Sequence, residues 1–132
     1  MEKKRYDLEE RLLDFAVAVC RLVERLKQIR AGVHVGGHLL RSSTSVYFNH
    51  GEAESGESQD DFIHKMGVCL KELRELKRAL RLVQRVPLIE QPTEVDALLA
   101  ETEELIRIFY ASIRTARKHA AGTGKQASPS RE

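Results

Sequence analysis

Apolar residues recur every three or four positions through most of this chain, and the recurrence divides it into four helices. Leu8, Leu12, Phe15, Val19, Leu22, Leu26 and Ile29 follow one another at alternating spacings of four and three. That spacing is a heptad seam on one helix face. Asp7 with Glu10 three residues on resembles a capping box at its start. A break at Gly32 separates a second helix, predicted from Val35 to Ser55, whose first turn contains Gly36 and Gly37. The third begins after Gly56, with Ser58 as N-cap and Asp60 and Asp61 at the positive end of the helix dipole. Its seam is Phe62, Met66, Cys69, Leu73, Leu76, Leu80 and Val83. Pro87 and Pro92 bracket the next turn, and Thr93 is the predicted cap of a helix bearing Val95, Leu99, Thr102, Ile106, Phe109, Ile113 and Ala116. Nothing alternates with the period of two that a half-buried strand needs. Short connections make successive helices antiparallel, so the expected fold is an all-α, up-down-up-down four-helix bundle over residues 1–119. Residues 120–132 are small or polar, with Gly, Ser, Lys and Pro among them and little to bury, and read as a disordered tail.

One polar stripe interrupts this regularity. Arg41, Ser45, Asn49 and Glu52 are spaced four, four and three, on one face of the second helix. Antiparallel pairing about Gly56 sets Arg41 across from Glu72, and Ser45 across from Gly67, where a missing side chain would let backbones approach. The stripe is then a structural network, with Arg41 paired to Glu72 or Glu75. The alternative is that it forms a site.

Composition narrows the chemistry. There is no Trp and few other aromatics, so Leu, Val, Ile and Ala must build the core. Cys20 and Cys69 occupy apolar helical positions and read as small buried hydrophobes in a reducing cytosol. No apolar run approaches the roughly 20 residues of a membrane span, and the opening MEKKRYDLEE is unlike a signal peptide. A cytoplasmic protein with no membrane partner is expected. The first helix adds Leu13, Ala16, Val17, Cys20 and Val23 to its seam, more apolar surface than one bundle core requires, which points to a subunit interface.

The net charge is +2, but it is unevenly spread. Lys71, Arg74, Lys77, Arg78, Arg81 and Arg85 face only Glu72 and Glu75 on their own helix, while residues 90–104 carry acids alone. Antiparallel pairing predicts Arg85 beside Glu94 and Arg78 beside Glu101, neutralising much of the stripe. At one pole, Arg21, Arg25, Lys27 and Arg30 with Arg81 are candidate nucleic-acid contacts. At the other the candidates are Arg114, Arg117 and Lys118, near Lys3, Lys4, Arg5 and Lys125. Binding by either set would be directed at phosphates and weakly sequence-specific.

Catalytic chemistry finds no foothold. His34 and His38 share a helix face without a third metal ligand in register. Asp61 and His64 supply half of a carboxylate-x-x-His motif, and the matching half is missing. Ser42, Ser43 and Ser45 have no His–acid partners at an obvious spacing. No enzyme activity, cofactor or metal is expected.

Several motifs in order resemble one bacterial family. Arg41, Ser42, Thr44, Ser45, Val46, Asn49, Glu52 and Ala53 form the first. Asp61, Phe62 and Ile63, then Lys71, Glu72, Leu73 and Glu75, form the next two. With YDLEERLLDFAVAVCRLVERL at one end and LLAETEELIRIFYASIRTAR at the other, the chain resembles the 23S rRNA-intervening-sequence proteins over residues 6–118. The resemblance implies a four-helix bundle assembled as a homopentamer, without catalytic activity. It also implies kinship with the accessory proteins of diversity-generating retroelements, basic pentamers that bind nucleic acid and a reverse transcriptase. Tyr47 and Phe48 stand where that family carries small residues. Two expectations follow: a nucleic-acid-binding accessory oligomer, or an oligomeric scaffold for another protein with no nucleic-acid role.

Overall fold

The computed structural model describes residues 7–127. Helix α1 spans Leu8–Glu24, α2 Arg30–Glu54, α3 Gln59–Arg85 and α4 Asp96–Ala127, with a 3-10 turn at Pro92–Val95 before α4. The described residues contain no strand. The α2–α3 contact is the most extensive, α3–α4 and α1–α2 follow, α1–α4 is slight, and the backbones of α1 and α3 do not touch. Long-range bonds give the directions. Cys69 Sγ–H donates to Val46 O (3.5 Å) and Lys65 Nζ to Glu52 Oε1 (2.6 Å), so α2 and α3 run antiparallel from their shared turn. Gln59 reaches Ala116 O at one end of α3, and Gln84 reaches Asp96 Oδ1 at the other, so α4 is antiparallel to α3.

The seams are buried because each helix has one apolar stripe and one interior to put it in. Leu12, Phe15, Val19 and Leu22 of α1 meet Leu39 and Val46 of α2. Met66, Cys69, Leu73, Leu76, Leu80 and Val83 of α3 pack with Leu105, Phe109 and Ile113 of α4. Each large side chain so buried contributes roughly 1.5–3 kcal/mol. Ser58 caps α3 as expected, its hydroxyl accepting from the Asp61 amide at 3.0 Å. Thr102, the polar residue in the α4 seam, is fully buried and donates its hydroxyl to Leu98 O at 2.7 Å.

The boundaries depart from expectation in three places. First, α1 stops at Glu24 and α2 begins at Arg30, leaving Ile29 51% exposed at the N-cap of α2 instead of in the α1 seam. The Lys27 amide donates to Leu88 O (2.8 Å), which pulls the connection away from helix. Gly32 is not a breaker: it lies in the first turn of α2, where a Cβ would overlap the Lys27 carbonyl. Gly36 approaches α1 too, since its Cβ would stand 3.2 Å from Val23 and 3.4 Å from Leu26. Gly67, expected to be the close-approach glycine, has open space beside it. Second, Thr93 lies inside the 3-10 turn that Pro92 opens, and α4 starts at Asp96. Third, α4 continues to Ala127, beyond the expected end of the bundle, and residues 128–132 lie outside the described residues.

Candidate nucleic-acid interface

The heptad that buries Leu73, Leu76, Leu80 and Val83 leaves a second series on the outside of α3. Lys71, Arg74, Arg78, Arg81 and Arg85 are spaced three, four, three and four, and all five are exposed. They form a basic ridge about 21 Å long at the rise of an α-helix. The expected pairs Arg85–Glu94 and Arg78–Glu101 do not form, because the acids of residues 94–104 have other partners. Glu94 binds Arg25 (2.7 Å), and Glu101 takes a bidentate bond from Arg11 (2.7 and 2.9 Å). Glu103 pairs with Lys77 (3.2 Å) and Glu104 with Arg107 (2.9 Å), while Asp96 accepts from Gln84. Lys77 sits 100° around the helix from Arg78, and that step decides which base meets α4. Among the described residues no ion pair forms to any member of the ridge. Arg78, Arg81 and Arg85 line an open groove of about 470 Å³ around Leu82.

A second groove, of about 310 Å³, adjoins it between α2 and α3, with Arg78 and Leu82 common to both. His34 and His38 form one wall, their rings edge to face at 5.2 Å. The expected pairing of Arg41 with Glu72 or Glu75 is absent. Arg41 is exposed and its Nη2 donates to His38 Nδ1 at 3.0 Å. A guanidinium can only donate, so Nδ1 is the acceptor in this contact and the ring's N–H is on Nε2. Glu75, exposed, lines the same groove, and Glu72 is half-buried.

The rest of the polar stripe is closed on itself. Asn49 Nδ2 donates to the Ser45 carbonyl (2.9 Å) and hydroxyl (3.0 Å). Glu52 binds Lys65, whose pKa is raised above 10.5 chiefly by that hydrogen bond. The polar residues inside the α2 contacts are instead Ser42 and Ser43, small enough to be buried, and His50. His50 packs edge to face on Phe109 (6.0 Å), with Nε2 3.5 Å from Glu54 and no hydrogen-bond partner. Its place four residues after Val46 and three before Ala53 was the available signal for that burial. Burial also pushes the Cys69 thiol up to about 12.

The remaining candidate bases divide. Arg25 is spent on Glu94, and Arg81 joins the α3 ridge, away from α1, which sits diagonally across the core from α3. Arg21, Lys27 and Arg30 are exposed about the α1–α2 connection, and Arg114, Arg117 and Lys118 along the last part of α4. Lys3, Lys4, Arg5 and the Lys125 side chain lie outside the described residues. No three His, Cys, Asp or Glu side chains among the described residues converge as a metal site. No helix among them is long and apolar enough to cross a membrane.

The opposite flank of α2 carries no charge. Val33, Gly37, Leu40, Thr44, Tyr47 and Gly51 are spaced four, three, four, three and four, a second seam outside the core. Val33 is 60% and Leu40 36% exposed along it. This flank lies on the side of α2 that Gly36 turns to α1, whose Leu13, Val17 and Cys20 are left at least partly exposed.

Comparison with known proteins agrees with this architecture. The family described as 23S rRNA-intervening sequence protein matches residues 4–111. A solved structure, a protein with unknown function from the S23 ribosomal protein family of Bacteroides thetaiotaomicron VPI-5482, is 27% identical. It superposes with a TM-score of 0.69, covering 80% of this chain and 94% of its own. No curated protein matches the chain.

Proposed function

Because the chain belongs to the 23S rRNA-intervening sequence protein family, we propose that it is a non-enzymatic, cytoplasmic, self-associating protein that binds nucleic acid through the α3 ridge. The observation that carries this reading is the unneutralised run Lys71, Arg74, Arg78, Arg81 and Arg85 beside an α4 whose acids are engaged elsewhere. Each guanidinium can grip a phosphate bidentately, and a ridge of five cations displaces the counterions that such contacts release. One ridge is a modest site. Repetition around an oligomer turns it into a multivalent one.

The charge-free flank of α2 supports self-association, since monomers seldom leave a run of apolar residues this long in water. A homopentamer is the state that the family resemblance implies, and a reverse transcriptase is the protein partner it implies. Fluorescence anisotropy with structured RNA and with duplex DNA, at two salt concentrations, tests the ridge. Replacing Arg78, Arg81 and Arg85 by Ala should weaken binding and lower the log–log salt slope by about 2–3. Unchanged affinity and slope would remove the ridge from the site. A parent protein that binds neither nucleic acid would leave the oligomeric scaffold as the better reading.

A further inference from the structure

We propose that the groove between α2 and α3 seats one unstacked nucleobase, so that the ridge follows an unpaired strand in preference to a duplex. This rests on the reading of the ridge as a phosphate surface and adds the form of nucleic acid it takes.

The groove and the ridge offer different chemistry at adjoining places. Phosphates need donors, and the exposed arginines supply them. The groove instead is lined by the apolar side chains of Val35, Ala79 and Leu82 beside two imidazole rings. Such a lining gains nothing from a phosphate and much from a flat π-face, which stacks on aromatic rings and covers apolar carbon. Its polar rim is mixed in the way a base edge is mixed. Arg41 holds Nδ1 of His38, which leaves Nε2–H as a donor, and Glu75 is an acceptor. Base edges present donors and acceptors side by side, and those of a single strand are free to be read. Arg78 lines both grooves, so one guanidinium can hold the phosphate of the nucleotide whose base is seated. A duplex can offer its phosphates to the ridge but no base to the groove without first unstacking it.

The test is anisotropy with one fluorescein-labelled RNA, single-stranded and then annealed to its complement, with 2-aminopurine in the strand to report on stacking. The parent should favour the unpaired strand by about tenfold, the worth of one stacked base, and 2-aminopurine emission should change on binding. The double variant His34→Ala, His38→Ala alters only rim side chains, so its helical circular dichroism should match the parent. It should lose the preference and the emission change while keeping the parent's duplex affinity. Glu75→Gln, which retains size and removes the charged acceptor, should weaken the single strand alone. Equal parental affinity for the two forms, or a preference that survives the histidine substitutions, would overturn the base seat and leave the ridge standing. Absence of binding to either form would overturn both.

Discussion

Helix α2 has two flanks that the same backbone presents to solvent, and they could hardly differ more. On the α1 side, Val33, Gly37, Leu40, Thr44, Tyr47 and Gly51 run for five helical turns without a charge. On the α3 side, His34, His38, Arg41, Ser45, Asn49 and Glu52 are all polar. The core draws little from either flank, Tyr47 excepted, since Val35, Leu39, Val46 and Ala53 already serve it. An exposed apolar seam costs solubility unless something covers it, whereas a polar seam costs nothing in water. Under the proposed function the difference suits the two sides to separate work: one face would pack against copies of the chain, the other, with α3, against a charged partner.

The largest effect should come from charging the apolar side. Val17→Glu with Leu40→Glu should reduce the mass seen by light scattering from about five times the chain's 15.0 kDa toward one, with helicity retained. Nucleic-acid affinity should then fall by the avidity factor, about 10²–10⁴. If the parent is itself a monomer at micromolar concentration, the comparison of flanks fails at its first step. Next is Gly32→Ala at the root of both flanks. Its Cβ would overlap the Lys27 carbonyl, so thermal or urea denaturation should show a loss of about 1–3 kcal/mol.

A chemical probe sharpens the assignment of the apolar side. Cys69, with its thiol pushed up to about 12, should resist alkylation at pH 8 in the native state, and half-buried Cys20 should report the interface. Cys20 should react faster in the Val17→Glu, Leu40→Glu protein than in the parent. Equal rates would place the interface elsewhere. The smallest effect is expected on the polar side: Arg41→Ala should change stability by no more than about 0.5 kcal/mol, since Arg41 is exposed and bonded only to His38. A loss near 3 kcal/mol would restore the buried pairing with Glu72 or Glu75.

The contrast between these residues shows what could be read before the fold was known. Met66 through Val83 was legible because burial repeats with the helix period and nothing else imitates it. Ile29 fitted the same period and still lies outside, because a tertiary bond from Lys27 to Leu88 ends α1 before the period does. Arg41 was recognisable as part of a polar face, but spacing alone does not say to which side that face turns. The partners of Glu94 and Glu101 were beyond reach for the same reason. Neighbouring bases differ by 100° of rotation, and competing arginines on α1 enter only in three dimensions. The groove with His34 and His38 needed α3 in place before its lining existed.

The Lys27–Leu88 bond has one more consequence. It ties the α1–α2 connection to the chain leaving α3, so two of the three interhelical connections are laced together at one pole. The other pole has one turn among the described residues, Ser55–Ser58, with Gln59 holding Ala116 O of α4 beside it. Opening should therefore start at the unlaced pole and travel toward the laced one. In hydrogen exchange the Lys27 amide, although in a loop, should be protected like a helix interior, and amides near Asp7 and after Ala116 should exchange first. His34, Arg78, Arg81 and Arg85 stand at the end of the molecule expected to let go last, so the proposed strand contacts would be held in place as the far end frays.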